Sequence, residues 1–229
     1  MNKIKSFIQL DFITVKPYFT IKNISIYAVI ALFLAVFSGN ASSSIGFGMM
    51  IGTLFMSYPF AIGEKSNLDE LYAVLSVNRK TVVLGRYLFT LLINCCTFVI
   101  FYLLAAAGLF ITGLIGYETE TGGILLTAAI IAPLAVLIEA VQLPVFFKLG
   151  YSKAKFFSLV PFAVIAAGFL AVTALGRSGE ADGDFFGNID NFLASVNIGI
   201  LMAAAVLIMF LFMFCSYKLS FLFYKKREF

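Results

Sequence analysis

From Asn23 to Gly63 no side chain is charged, and the apolar run is interrupted only by Ser38-Gly39-Asn40-Ala41-Ser42-Ser43-Ser44. About 20 apolar residues cross the hydrocarbon core of a bilayer as a helix. A helix also satisfies its own backbone hydrogen bonds there, where no water can. The pattern therefore predicts a hairpin of spanning helices over residues 21–37 and 45–62, both near the lower length limit. Further apolar runs predict spans over residues 87–116, 124–147, 156–176 and 194–217. The expected fold class is all-α: a polytopic membrane protein with six transmembrane helices in a single domain, residues 1–229.

Two segments outside the spans also read as helix. In residues 1–20, Ile4, Phe7, Ile8, Phe12 and Val15 recur at helical spacing, while Lys5, Gln9 and Lys16 fall largely elsewhere. That predicts an interfacial helix lying on the inner leaflet and ending near Pro17. In the connection 63–86, Ser66 is a suitable N-cap and Asp69 and Glu70 favour the positive helix start. Leu68, Leu71, Tyr72 and Leu75 follow at i, i+3, i+4 and i+7. A short amphipathic helix results, after which Val77-Asn78-Arg79-Lys80 turns the chain and Thr81 caps the third span. Two spans need only a few residues to connect them, so an ordered helix here marks a surface that something binds.

Composition and charge add the solvent and the orientation. Only 12% of the 229 residues are charged and 62% are apolar, with a mean hydropathy of +1.02, whereas soluble domains carry about 25% charged residues. Fifteen of the sixteen lysines and arginines flank the predicted spans on one face, with Arg177 alone opposite. The positive-inside rule makes that face cytoplasmic, with both termini on it, in a multi-pass cell membrane protein. Residues 177–193 then form an extracellular, acidic loop containing Phe185 and Phe186. The net charge of +4 follows from basic flanks meeting anionic lipid headgroups and calls for no nucleic-acid partner.

The chemistry on offer is sparse. There is no His, which removes the commonest general base and zinc ligand, and no metal site is expected. Cys95, Cys96 and Cys215 lie in apolar runs without C-x-x-C spacing and read as lipid-buried or packed thiols, not a disulfide framework or metal site. Glu139 is the one ionisable residue well inside a predicted span. A carboxylate there is a functional candidate by default, with Gln142 one turn on and Pro133 and Pro144 bracketing the region. Gly48 and Gly52 form a G-x-x-x-G pair that permits close helix packing.

The stretch Tyr58-Pro59-Phe60-Ala61-Ile62-Gly63-Glu64-Lys65, then Leu71-Tyr72, Leu75-Ser76-Val77-Asn78-Arg79-Lys80 and Gly85-Arg86-Tyr87, resembles the second-to-third span region of ABC-2-type transporter permeases. Residues 143–155, Leu143-Pro144-Val145-Phe146-Phe147-Lys148 through Lys155, resemble the exit of the fourth span in the same family of small six-span permeases. The acidic residue usual after the aromatic-Pro-Phe segment is replaced by Gly63, although Glu64-Lys65 follows. The resemblance implies a type V exporter-like architecture: two permeases, identical or related, pair in the membrane, and two separate ATP-binding cassette subunits dock below. It also implies that the loop after the second span is a coupling helix, placing Glu64, Lys65, Leu68, Leu71, Tyr72 and Leu75 at the ATPase contact. The chain has no G-x-x-x-x-G-K-[ST] phosphate loop. It is therefore no enzyme itself and needs no cofactor of its own, ATP and Mg being bound by the partner.

The first reading is thus the permease subunit of an ATP-driven exporter, moving an amphipathic or hydrophobic cargo such as a peptide, antimicrobial or drug. Glu139 and Gln142 are its candidate translocation-path residues. A proton-coupled secondary exporter titrating Glu139, and a membrane immunity or assembly protein that transports nothing, stand as alternatives. All rest on one topology, which makes a direct prediction. Cysteines placed in residues 66–76 react with a membrane-impermeant thiol reagent in inverted vesicles and not in intact cells.

Overall fold

The computed structural model describes residues 2–39, 41–74, 77–115, 124–157, 159–164, 167 and 198–227. These are helical almost throughout, with no strand among them. The chain opens with α1, Asn2–Val15, and a 3₁₀ turn, Lys16–Tyr18, that takes up Pro17. Next come α2, Ile21–Ser38, and α3, Ala41–Lys65, joined at Gly39, whose φ of 65° ends α2 in the left-handed region open to glycine. The short α4, Leu68–Val74, leads into α5, Arg79–Leu114. Then follow α6, Ile124–Leu149, α7, Tyr151–Phe157, and α8, Ile198–Lys226.

Five of the described helices are long and apolar enough to cross a membrane: α2, α3, α5, the Ala128–Leu149 part of α6 and the Val206–Lys226 part of α8. The remaining expected span, 156–176, lies mostly outside the described residues, as does the loop 177–193 with its phenylalanines. Residues 160–164 within that span are helical.

Several boundaries differ from the sequence expectation, each for a local reason. The polar break at 38–44 is tighter than expected: Ser42, Ser43 and Ser44 belong to the first turns of α3, where the Ser43 and Ser38 hydroxyls bond each other at 2.7 Å. Asn67 stands where Ser66 was expected to cap α4. Its φ of 48° turns the chain and its carbonyl accepts the Leu71 N–H at 3.2 Å. Likewise Asn78 rather than Thr81 caps the third span, accepting the Lys80 N–H at 3.0 Å on its side chain. The third span accordingly begins at Arg79, not Tyr87. At 36 residues and about 1.5 Å per residue it is roughly 54 Å long, well beyond a core of about 30 Å. α8 runs on past Tyr217 to Lys226, so the basic tail is helical.

α5 is the central post. α1, α2 and α3 pack along it, while α6 and α8 pair with each other and close against α3 and α5. Glycine decides how near α3 and α5 come. A Cβ on Gly48 would collide with the Cβ–Cγ end of Phe101, and one on Gly52 would sit 2.9 Å from Thr97 Oγ1 and 3.2 Å from Asn94 Oδ1. The G-x-x-x-G pair thus packs on a facing helix of the same chain. A polar seam ties α5, α6 and α8 together. Ser216 Oγ donates to the Ala140 carbonyl at 2.6 Å, so the Tyr87 hydroxyl, 2.5 Å away, donates to Ser216. Ser220 Oγ lies 2.7 Å from the same hydroxyl. The Gly48 contact yields a stability prediction. Gly48→Ala lowers the unfolding free energy in detergent by about 1–3 kcal/mol through overpacking, and Phe101→Ala in the same chain relieves the clash.

Candidate functional site

The residues expected at the ATPase contact gather at the end of the bundle where α3 stops and α4 begins. Glu64 closes α3 and its Oε2 accepts the Ser152 N–H at 3.0 Å, placing a carboxylate on the start of α7. Lys65 is exposed and Leu68 half-buried. Leu71 is 48% exposed and Val74 81%, and together with the exposed Glu70 they give α4 an outward face that is mainly apolar. Tyr72, grouped with them on sequence spacing, turns the other way. It is buried and its ring lies 5.3 Å from that of Phe7 on α1. Leu75 lies outside the described residues. The helical spacing that joins 68, 71, 72 and 75 describes one broad stripe, and contact with α1 divides it.

α4 is held from two sides. On one, Phe7 fills the space left by Gly85, where an added Cβ would meet its Cδ1 at 2.5 Å. On the other, Asp69 accepts the Tyr224 O–H at 3.1 Å and pairs with Arg227 Nη1 at 3.4 Å, both from the end of α8. Arg79 donates to the Tyr224 carbonyl at 3.3 Å and to that of Lys225, satisfying groups that a helix end leaves open. A cavity of about 20 Å³, room for one water, lies among Glu64, Asp69, Arg86, Gly150 and Arg227.

A buried ion pair here joins two residues that the sequence analysis did not place at the site. Arg86, counted among the loop cations, is buried inside α5 and its Nη1 meets Asp11 Oδ1 of α1 at 3.0 Å. The guanidinium also lies over the Phe60 ring at 5.0 Å and the Phe7 ring at 5.8 Å. The inward face of α1 is therefore Phe7, Asp11 and Val15, at i, i+4 and i+8, rather than the purely apolar stripe expected. Phe12, assigned to that stripe, is partly exposed. A charge at position 11 breaks the apolar pattern, and nothing local announces its partner 75 positions later. Burial pushes the Asp11 carboxyl up to about 6 against the lowering pull of Arg86. Because that value lies above the ordinary one of 3.8, the contribution of Asp11 to stability is complete below about pH 4 and is lost as the pH rises through about 6.

Deeper in the bundle, Glu139 is wholly enclosed, with Oε2 accepting a short hydrogen bond from Asn94 Nδ2 on α5. Gln142 is buried one turn on. Both expected path residues are thus buried, and Glu139 faces α5. An open, apolar groove of about 500 Å³ lies elsewhere on α6, between it and α8, walled by Val141, Pro144, Phe212, Leu219 and Phe223, with Lys148 among its lining residues.

A family model described as ABC-2 family transporter protein matches residues 6–225, nearly the whole chain. The chain belongs to the ABC-2 transporter family. Comparison with curated proteins and with solved structures gave no match. Membership in the ABC-2 family accounts for the bundle of apolar helices and identifies a multi-pass membrane component of a transporter.

The ion pair yields a prediction with a pH signature. Arg86→Met strands the buried Asp11 and costs about 3–5 kcal/mol of stability at pH 7. The loss is smaller at pH 5, where Asp11 already holds its proton, and Asp11→Leu in the same chain restores most of it. Thermal unfolding of the three proteins at the two pH values checks this.

Proposed function

We propose that this chain is the membrane-spanning permease subunit of an ATP-driven exporter, in which α4 is the coupling helix that a separate ATPase subunit grips. The observation that carries this reading is the outward face of α4. Leu71 and Val74 are exposed on a short helix beyond the apolar spans, while Tyr72 packs on α1 and Asp69 bonds the end of α8. Exposed apolar groups on an anchored helix give a partner both a surface to bury and a handle that transmits force. Glu64 and Lys65 border that surface. Glu64 is committed to α7, so Lys65 and Glu70 supply its charged rim.

In this reading six spans cross the membrane with both termini cytoplasmic, and the permease works as a pair with a second copy or a related chain. ATP and Mg belong to the ATPase, since the sequence lacks a phosphate loop. Nucleotide-driven closure of the ATPases displaces α4, and the permease pair passes between inward- and outward-facing arrangements. The groove between α6 and α8 favours an amphipathic or hydrophobic cargo such as a peptide or drug, with Lys148 near its polar part. The enclosure of Glu139 by Asn94 favours ATP over proton coupling, because a titrating site has to meet water during its cycle.

Copurification of the chain with an ATP-binding cassette ATPase tests the proposal. Leu71→Asp and Val74→Asp release the ATPase while leaving the permease folded. Tyr72→Asp disturbs the fold itself, because it places a charge against Phe7. Retention of the ATPase by the Leu71→Asp, Val74→Asp double variant overturns the assignment of α4.

A further inference from the structure

The covalent neighbours of α4 are α3 before it and α5 after it, yet its best-defined polar contacts are to neither. Asp69 is held by Tyr224 O–H at 3.1 Å, on the last turn of α8, and by Arg227 at 3.4 Å, just past its end. Tyr224 is itself buried and packs its ring 5.5 Å from that of Phe147. Arg79, at the first position of α5, bonds the carbonyls of Tyr224 and Lys225. Arg227 Nη2 and Glu64 Oε2 both approach Gly150, within 3.4 Å and 3.1 Å of where a Cβ would stand. The ends of α3 and α6 and the start of α5 thus meet the last turn of α8 beside α4.

The helices differ in how well they carry a displacement. α3 holds Pro59 close to its end, and a proline inside a helix removes a backbone hydrogen bond and lets the helix bend. α6 carries Pro133 and Pro144. α8 has no proline in its 29 residues and lies along α6 for much of its length. A push on α4 that enters α3 can be absorbed at Pro59, whereas one that enters the end of α8 moves a continuous rod.

We propose that Tyr224 and Arg227 are positioning residues that lock the coupling helix to α8 through Asp69, making α8 the rod through which movement of α4 reaches the membrane bundle. The proposal rests on the reading of α4 as the ATPase contact. α8 then moves with α4, and the groove it forms with α6 changes shape as nucleotide binds below. Tyr224 contributes direction, since its hydroxyl is fixed by a buried ring. Arg227 contributes the charge that keeps Asp69 seated.

The test uses the full permease–ATPase complex in lipid vesicles, with Cys95→Ala and Cys96→Ala leaving Cys215 on α8 as this chain's single thiol, labelled before the ATPase is added. Cys215 is exposed and free, so an environment-sensitive fluorophore attaches there. Addition of Mg·ATP changes its emission in the otherwise unaltered chain. Tyr224→Phe, which keeps the ring and removes only the hydroxyl, combined with Arg227→Ala, reduces that change by about fivefold or more, with the ATPase still bound. The exchange of Asp69→Arg with Arg227→Asp restores the response, which a purely structural role for either residue would not produce. A full response in the Tyr224→Phe, Arg227→Ala protein with the ATPase bound overturns the α8 link alone. Failure of any ATPase to bind the unaltered chain, seen before nucleotide is added, overturns the reading of α4 and this proposal with it.

Discussion

One buried charge organises the end of the bundle at which the chain is proposed to work. Arg86 lies within α5, shut away from water, and so must be matched by charge and by polarisable faces in the protein. Asp11 supplies the charge, and Phe60 and Phe7 supply the faces. Because Asp11 and Phe7 stand on α1, that helix is pinned to α5 and α3 instead of merely floating in the interface. Phe7 in turn meets Tyr72, so α4 packs on a residue three helices earlier in the chain. Taking an ion pair out of water is costly, and this one joins Asp11 of α1 to Arg86 of α5 at a buried position.

The same economy of polar contacts recurs deeper in the bundle. The Asn94–Glu139 hydrogen bond joins α5 to α6, and the Tyr87, Ser216, Ser220 group joins α5 and α6 to α8. In lipid, apolar surface gives little preference for one helix partner over another, so packing of small residues and sparse polar pairs select the partners. Gly48, Gly52, Gly85 and Gly108 permit the close approach, with Ala35 of α2 seated against Gly108. α4 lies beyond this packed region, held at each side and bare on the face between.

The two alternatives to an ATP-driven permease weaken on different grounds. Family membership makes the chain a transporter component, which leaves little room for a protein that carries nothing. A proton-coupled cycle needs Glu139 to exchange with water, and the carboxylate is instead closed in beside Asn94. At the junction of α4 and α8, partly exposed charges and an exposed apolar face coexist.

The sequence alone determined the solvent, the helical class and most of the spans, because length and apolarity suffice to place a helix in a bilayer. α2, α3, α5, α6 and α8 all appear where the apolar runs lie, and the family was legible in the motifs around Pro59 and Pro144. The sequence also located α4, since an N-terminal acidic pair and a helical stripe are local signals. What only the tertiary structure decided is which side of each stripe faces a neighbour. Tyr72 and Leu71 are adjacent in sequence and similar in hydropathy, yet one is buried against Phe7 and the other is exposed. Arg86 read as a loop cation and Asp11 as an interruption, because the partner that makes each tolerable stands on another helix. Periodicity reports what a helix could bury, and contacts between distant segments settle what it does.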